Sequence, residues 1–323
     1  MRIKNTIIIL TFLLSTSMSM AQQQAKSMIV STHYLLYVPK SLPSNGSYPL
    51  LLFLHGGDER GEDLSILKRK GPPSFLDDNS DFPFVVVSPQ CPENSGWDTQ
   101  HLLTLLDHIE ASLPIDKNRI YVTGLSMGGF ATWNLAQVAP ERFAAIAPIC
   151  GGGNIDRICI MRDVPVWAFH GAKDTAVPYQ ESERLVQRLK EFGSDVKFTL
   201  YPDAGHDSWT NAYQNQQLYD WLLSKSKNKI RPTVDDKILK SYVGSYKYSK
   251  NEIMEVTYED GDVYVKSSVA NRKLLIMPLT NTKFRISGPL TGDGDMYFNV
   301  TKEGKVEGFT VGPCDHTYCP RIE

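Results

Sequence analysis

Between residues 49 and 226, short apolar runs alternate with segments of helical period. The runs PLLLFLHGG (49–57), FPFVVVSPQ (82–90), RIYVTG (119–124), FAAIAPIC (143–150), VPVWAFHG (164–171) and VKFTLYPD (196–203) show no clean in/out alternation. Strands covered on both faces read this way. Between several of them, Leu102, Leu103, Leu106, Ile109 and Leu113 make one apolar helical stripe, and Val186, Leu189 and Phe192 another. Tyr213, Leu218 and Trp221 belong to a last helix. Repeated strand–helix–strand units predict an α/β fold, a doubly wound, mostly parallel sheet with helices on both sides. THYLLYVPK (32–40) fits an antiparallel strand leading into it.

The pattern then changes. SKSKNKIRPTVDD (224–236) is charged and polar with a proline, and a linker is placed at 227–236. Beyond it, hairpin signals replace helices. Asp260-Gly261 separates IMEVTYE from DVYVKSS, Asn281 lies between KLLIMPL and KFRIS, and Glu303-Gly304 separates MYFNVTK from KVEGFTV. Residues 237–323 therefore read as a small antiparallel all-β domain behind a larger one at 22–226.

Composition adds limits. With 323 residues, 41% hydrophobic and 22% charged, the chain is ordinary globular protein, enough for one large domain or two unequal ones. A formal net charge of -2 provides no general basic face for nucleic acid and no strong pull toward anionic lipid. The first residues read as a signal peptide, 1–21. Arg2 and Lys4 supply the positive end, Ile7 to Leu14 a short apolar core, and Ser19-Met20-Ala21 a cleavable small-residue end. The expectation is an exported soluble protein, periplasmic or secreted, with no membrane span. Five cysteines are too few for a disulfide scaffold. In an oxidising compartment the local pairs Cys150–Cys159 and Cys314–Cys319 are feasible. CDHTYC (314–319) is a weak metal signal, and a loop or disulfide is favoured there.

Candidate chemistry starts at RIYVTGLSMGG (119–129), where a strand leaves through Gly124, places Ser126 at a bend and enters a helix through Gly128 and Gly129. Gly124-Leu125-Ser126-Met127-Gly128 matches G-x-S-x-G, whose small residues permit a strained elbow that lifts the hydroxyl above the sheet. A neutral serine needs a base and a third group to orient that base. FHGAKDTAVP offers Asp174 after one strand and YPDAGHDSW offers His206 after the next, in the order nucleophile, acid, histidine. All three project from one sheet edge, where open α/β sheets bind ligands. Asp203 and Asp207 lie too close in sequence to His206 to compete, and His55 and His170 read as turn supports. A tetrahedral intermediate needs two N–H donors. Met127 N–H follows the nucleophile, and Gly57 N–H, or else Asp58 N–H, comes from FLHGGDERGED (53–63).

The segments HGGDERGED, SPQCPENSGW, TGLSMGG, FHGAKDTAVP and PDAGHDSW resemble those of α/β-hydrolase fold serine carboxylesterases. The nearest branch is that of predicted peptidases or phospholipase/carboxylesterase-like proteins. It is related to feruloyl and acetyl-xylan esterases, dienelactone hydrolases and the prolyl oligopeptidase catalytic domain. The resemblance covers roughly residues 28–226. It implies a serine ester hydrolase with no cofactor and no metal, acting on a small-molecule or glycan-linked ester such as a feruloyl or acetyl group on plant polysaccharide. A peptidase on short peptides, or a glycan- or wall-binding protein, are the alternatives. Serine in place of the cysteine of dienelactone hydrolases, and the lack of a large N-terminal propeller, favour an ester. Trp209 and Trp97 are candidates to line an acyl or aryl pocket, with plain packing equally open for Trp97. The strand order implied by the fold puts Cys91 about 14 Å from Cys150, too far for a disulfide, so Cys91 is expected free.

Overall fold

The computed structural model describes residues 32–41, 43–79, 81–227, 234–270, 273–286, 295–312 and 317–322. The leader expected at 1–21, most of the linker, and Cys314 and His316 of the CDHTYC segment lie outside them.

The first sheet has seven strands: β1 (Tyr34–Tyr37), β2 (Tyr48–Leu54), β3 (Val85–Pro89), β4 (Ile115–Leu125), β5 (Ala145–Ile149), β6 (Val166–Gly171) and β7 (Val196–Tyr201). Their spatial order is β1-β3-β2-β4-β5-β6-β7, with β1 antiparallel to β3 and every other pairing parallel. The unbroken apolar runs have a simple cause: successive residues feed two different cores. Leu50, Leu52 and Leu54 of β2 join Val122, Ile146 and Ala168 in one cluster with Leu106, Trp133 and Leu185. Leu51 and Phe53 join Tyr121, Ala147 and Phe169 in the other, with Tyr213, Leu218 and Trp221. The first core is covered by α1 (Thr99–Ser112), α2 (Met127–Val138) and α3 (Gln180–Glu191). The second is covered by α4 (Trp209–Tyr213) and α5 (Gln216–Leu223). Each buried Leu, Ile or Phe contributes about 1.5–3 kcal/mol of transfer free energy, so a two-sided sheet is the main apolar store of the molecule.

The second sheet follows a short helix, α6 (Asp236–Ser241), capped by the Asp235 carboxylate on Lys237 N–H. Hairpin signals alone did not predict this helix. The strands are β8 (Gly244–Lys247), β9 (Ile253–Glu259), β10 (Asp262–Ser267), β11 (Lys273–Pro278), β12 (Lys283–Ile286), β13 (Asp295–Val300), β14 (Val306–Val311) and β15 (Thr317–Pro320). They run as an antiparallel meander in chain order. A bridge between Tyr246 and Arg321, and Ile322 N–H on Ser245 O, bring the last strand back to the first, so the sheet is nearly a closed barrel. Alternation is clean here because one face packs inward, with Val256, Val265, Phe284, Phe298 and Phe309 filling the interior. Asp260 (φ 51°) and Gly261 (φ 93°) form the tight turn expected between β9 and β10.

The two sheets meet through Lys283, which pairs with Asp163 and, at 2.9 Å, with Asp295. Arg162 lies 3.6 Å over the Tyr297 ring. Among the described residues no helix is long and apolar enough to cross a membrane.

Candidate active site

The candidate nucleophile sits at the C-terminal end of β4, the central strand. Ser126 has φ 54° and ψ -117°, a left-handed backbone that a non-glycine residue adopts only when its surroundings impose it. Its N–H is held from behind by Ile149 O at 3.0 Å and Cys150 Sγ at 3.2 Å. The close approach on the other side depends on Gly128, where a Cβ would stand 1.9 Å from Leu54 O. Gly128→Ala is therefore expected to lose about 3 kcal/mol of stability, since backbone cannot yield as a side chain does. A denaturant midpoint unchanged from wild type would refute this.

His206 Nε2 lies 2.9 Å from Ser126 Oγ, and His206 Nδ1 lies 2.8 Å from Asp174 Oδ2. The structure thus brings together the three side chains expected from three separate loops. Asp174 Oδ1 accepts the N–H groups of Ala176 and Val177, both at 2.9 Å. Burial opposes ionisation of Asp174, but the bonds from His206 and from these N–H groups outweigh it and hold the carboxyl below its usual range. Behind it, the buried His170 places Nε2 at 3.2 Å from Asp174 Oδ2 and 3.0 Å from Val177 O, and Nδ1 at 2.9 Å from Ser182 Oγ. Both groups facing Nε2 are acceptors, so the proton belongs there. Burial also pushes the His170 pKa down. His170 therefore does more than support a turn: it braces the acid. Asp203 pairs with Lys173, and Asp207 caps Thr210, so neither competes for His206.

The candidate oxyanion side is organised by His55. Its Nε2 accepts Cys91 N–H at 2.9 Å, which leaves the proton on Nδ1 for Gly56 O at 2.6 Å. Burial keeps the ring neutral, its pKa lowered to about 4. With Gly56 O turned toward His55, the Gly57 N–H across the same trans peptide must point the opposite way. Gly57 and Met127 each begin a helical turn, so no intrahelical carbonyl reaches their N–H groups. Gly56 N–H is not available, because Glu59 Oε2 takes it at 3.1 Å.

Glu59 is buried, and its Oε1 has no partner among the described residues. Burial raises its pKa from an ordinary 4.5 to about 7, against the lowering pull of Gly56 N–H. A carboxyl raised on folding favours the native state fully below 4.5, and that advantage is lost as pH rises through about 7. Glu59→Gln keeps the bond to Gly56 and removes the titration. Its melting temperature is expected to exceed wild type by roughly 2–5 °C at pH 8 and to match it near pH 4.5. Equal differences at both pH values would contradict this origin.

Trp209 stacks edge-on to His206 at 5.3 Å and carries Lys70 Nζ 5.2 Å over its ring, so it borders the candidate base. Trp97 packs on His55 at 4.7 Å and donates its indole N–H to His55 O, a place that matches the packing alternative. Cys150, also at positive φ (41°), lies inside the cluster: its Sγ, an Asp174 oxygen and a His206 nitrogen are all within 4.8 Å of one another. Burial raises the Cys150 pKa to about 12, so the thiol stays protonated, unlike a metal-ligating thiolate. The disulfide expectations need correction. Cys150 and Cys319 are free and buried, so neither local pair forms, while Cys159 is disulfide-bonded. The cause is placement: Cys150 is turned under the elbow, and Cys319 faces the barrel interior. Cys91 is free, as the strand spacing requires.

Residues 95–247 match the dienelactone hydrolase family. A bifunctional acetylxylan esterase/xylanase of Neocallimastix patriciarum is 30% identical over 198 residues, covering 58% of this chain and 27% of that protein. A poly(3-hydroxyalkanoate) depolymerase C of Paucimonas lemoignei is 31% identical over 131 residues, covering 36% and 30%. The chain thus spans about a third or less of the length of these two curated relatives. The crystal structure of a thermostable esterase aligns with TM-score 0.54 and 35% identity, over 60% of this chain and 59% of that one. The fold is that of the α/β-hydrolases, with the antiparallel near-barrel of β8 to β15 as a separate C-terminal sheet.

Proposed function

We propose that this protein is an exported serine hydrolase of carboxylic esters, with acyl groups on plant polysaccharide as its substrate class. The observation that carries the reading is the unbroken hydrogen-bond chain Ser126–His206–Asp174 beneath a serine in left-handed backbone. The acetylxylan esterase relative supports the acyl-glycan choice, and the amino-terminal pattern of Arg2, Lys4 and Ile7 to Leu14 supports export.

In this reading Ser126 Oγ attacks the ester carbonyl and its proton moves to His206 Nε2. Asp174 stabilises the resulting imidazolium through Nδ1–H, with His170 holding the carboxylate in place. The N–H groups of Met127 and Gly57 receive the oxyanion. Collapse expels the alcohol, which takes the proton from His206. Water then repeats the sequence on the acyl-enzyme and returns the serine hydroxyl. Trp209, edge-on to His206, lines the acyl or aryl pocket in this reading.

The test is a panel of 4-nitrophenyl acetate, methyl ferulate, acetylated xylan and a peptide anilide, run with wild type and Ser126→Ala. Ester turnover that disappears with the serine is expected. Turnover of the anilide alone would overturn the ester assignment in favour of a peptidase, and turnover untouched by the substitution would overturn both.

A further inference from the structure

The oxyanion loop carries a cation that the mechanism above does not use. Arg60 follows the turn Gly57–Glu59 directly. Its guanidinium leans back across the loop, with Nη1 3.7 Å from where a Cβ on Gly57 would stand and Nη2 2.9 Å from Met127 Sδ. It therefore touches Met127 and lies beside Gly57, the two residues whose N–H groups are the candidate oxyanion donors. A thioether is a weak acceptor for a charged donor. Arg60 Nε is buried and has no partner among the described residues, and no carboxylate of those residues pairs with the guanidinium. The acids of its own turn are engaged elsewhere: Asp58 with Lys70 at 2.5 Å, and Glu59 with Gly56 N–H. A half-buried guanidinium with unused N–H groups is matched by an anionic oxygen. In an ester substrate, that oxygen exists only once the carbonyl has been attacked.

We infer that Arg60 is a third oxyanion-stabilising group, placing positive charge beside the Met127 and Gly57 N–H groups where the tetrahedral intermediate gathers its negative charge. The inference rests on the ester-hydrolase reading. It adds a specific consequence: Arg60 acts on the transition state and not on ground-state binding, so its loss appears in kcat.

The experiment uses Arg60→Met and Arg60→Gln, with 4-nitrophenyl acetate as a neutral substrate and an alkylboronic acid as the probe. On binding, Ser126 Oγ forms a bond to boron, the serine proton passes to His206, and an anionic boronate occupies the oxyanion site. The expected result is a fall in kcat of about 10- to 100-fold with KM little changed. The boronate inhibition constant should rise by a similar factor. Both variants are checked by thermal melting, so a folding failure in one leaves the other to decide. Unchanged kcat, or a kcat loss with the boronate constant unmoved, overturns the inference. So does a loss confined to KM for esters bearing a second carboxylate, which would make Arg60 an anchor for charged substrates. Ser126→Ala run in parallel separates the two claims: if that variant turns over ester normally, the hydrolase reading fails; if it is dead and Arg60 variants are unaffected, only the Arg60 role fails.

Discussion

Ser126→Ala is expected to lower kcat on 4-nitrophenyl acetate by roughly 10⁴- to 10⁶-fold while leaving the fold intact. The size follows from what the hydroxyl does. In the proposed mechanism it forms the acyl bond, and it lies 2.9 Å from His206 Nε2, the base that takes its proton. The change is mild in structure, because the backbone at Ser126 is held by its own N–H on Ile149 O and Cys150 Sγ and not by the side chain. Groups that act as one unit are not additive, so Ser126→Ala/His206→Ala should be no slower than either single variant. A double variant slower by the product of the two single losses would mean that the residues act independently.

Asp174→Asn is expected to cost about 10³- to 10⁴-fold in kcat, more than the loss of one charge would suggest. The structure dictates which way the amide must face. Oδ1 accepts two backbone N–H groups, from Ala176 and Val177, so the asparagine oxygen has to stay there. The NH₂ group then replaces Oδ2 and points at His206 Nδ1. That nitrogen must become an acceptor, which moves the ring proton to Nε2, facing Ser126, where it cannot accept another. The same NH₂ also confronts His170 Nε2–H, so the brace becomes a clash of donors. Neutron or high-field NMR observation of the His206 ring proton on Nε2 in the variant would verify the flip. A proton still on Nδ1, with activity lost, would point to another cause.

Much of this site was legible from strand ends alone. Ser126, Asp174 and His206 each follow an apolar run at one edge of the sheet, and their order along the chain distinguishes them from Asp203 and Asp207. Less visible were the residues whose role depends on a neighbour distant in sequence. The tautomer of His55 is set by Cys91 N–H, which no local pattern reveals. His170 was within reach of period-two reasoning: in β6 it shares a face with Val166 and Ala168, the face covered by α3, and Ser182 of that helix meets it. Glu59 and Arg60 read as ordinary charged loop residues, because burial of a short turn against β4 and α2 leaves no periodic trace. The cysteines misled for a different reason. Proximity in sequence favours local pairs, but a thiol directed under the elbow cannot also reach outward.

The missing side chain at Gly128 has a practical corollary. The gap between the nucleophile turn and the loop after β2 is set where main chain rests on main chain, at Leu54 O. Trp209, which contacts His206 and Lys70, does not participate in that spacing. An engineer seeking a new substrate preference is therefore free to replace Trp209 while the gauge between the Ser126 turn and the Gly57 loop stays as built.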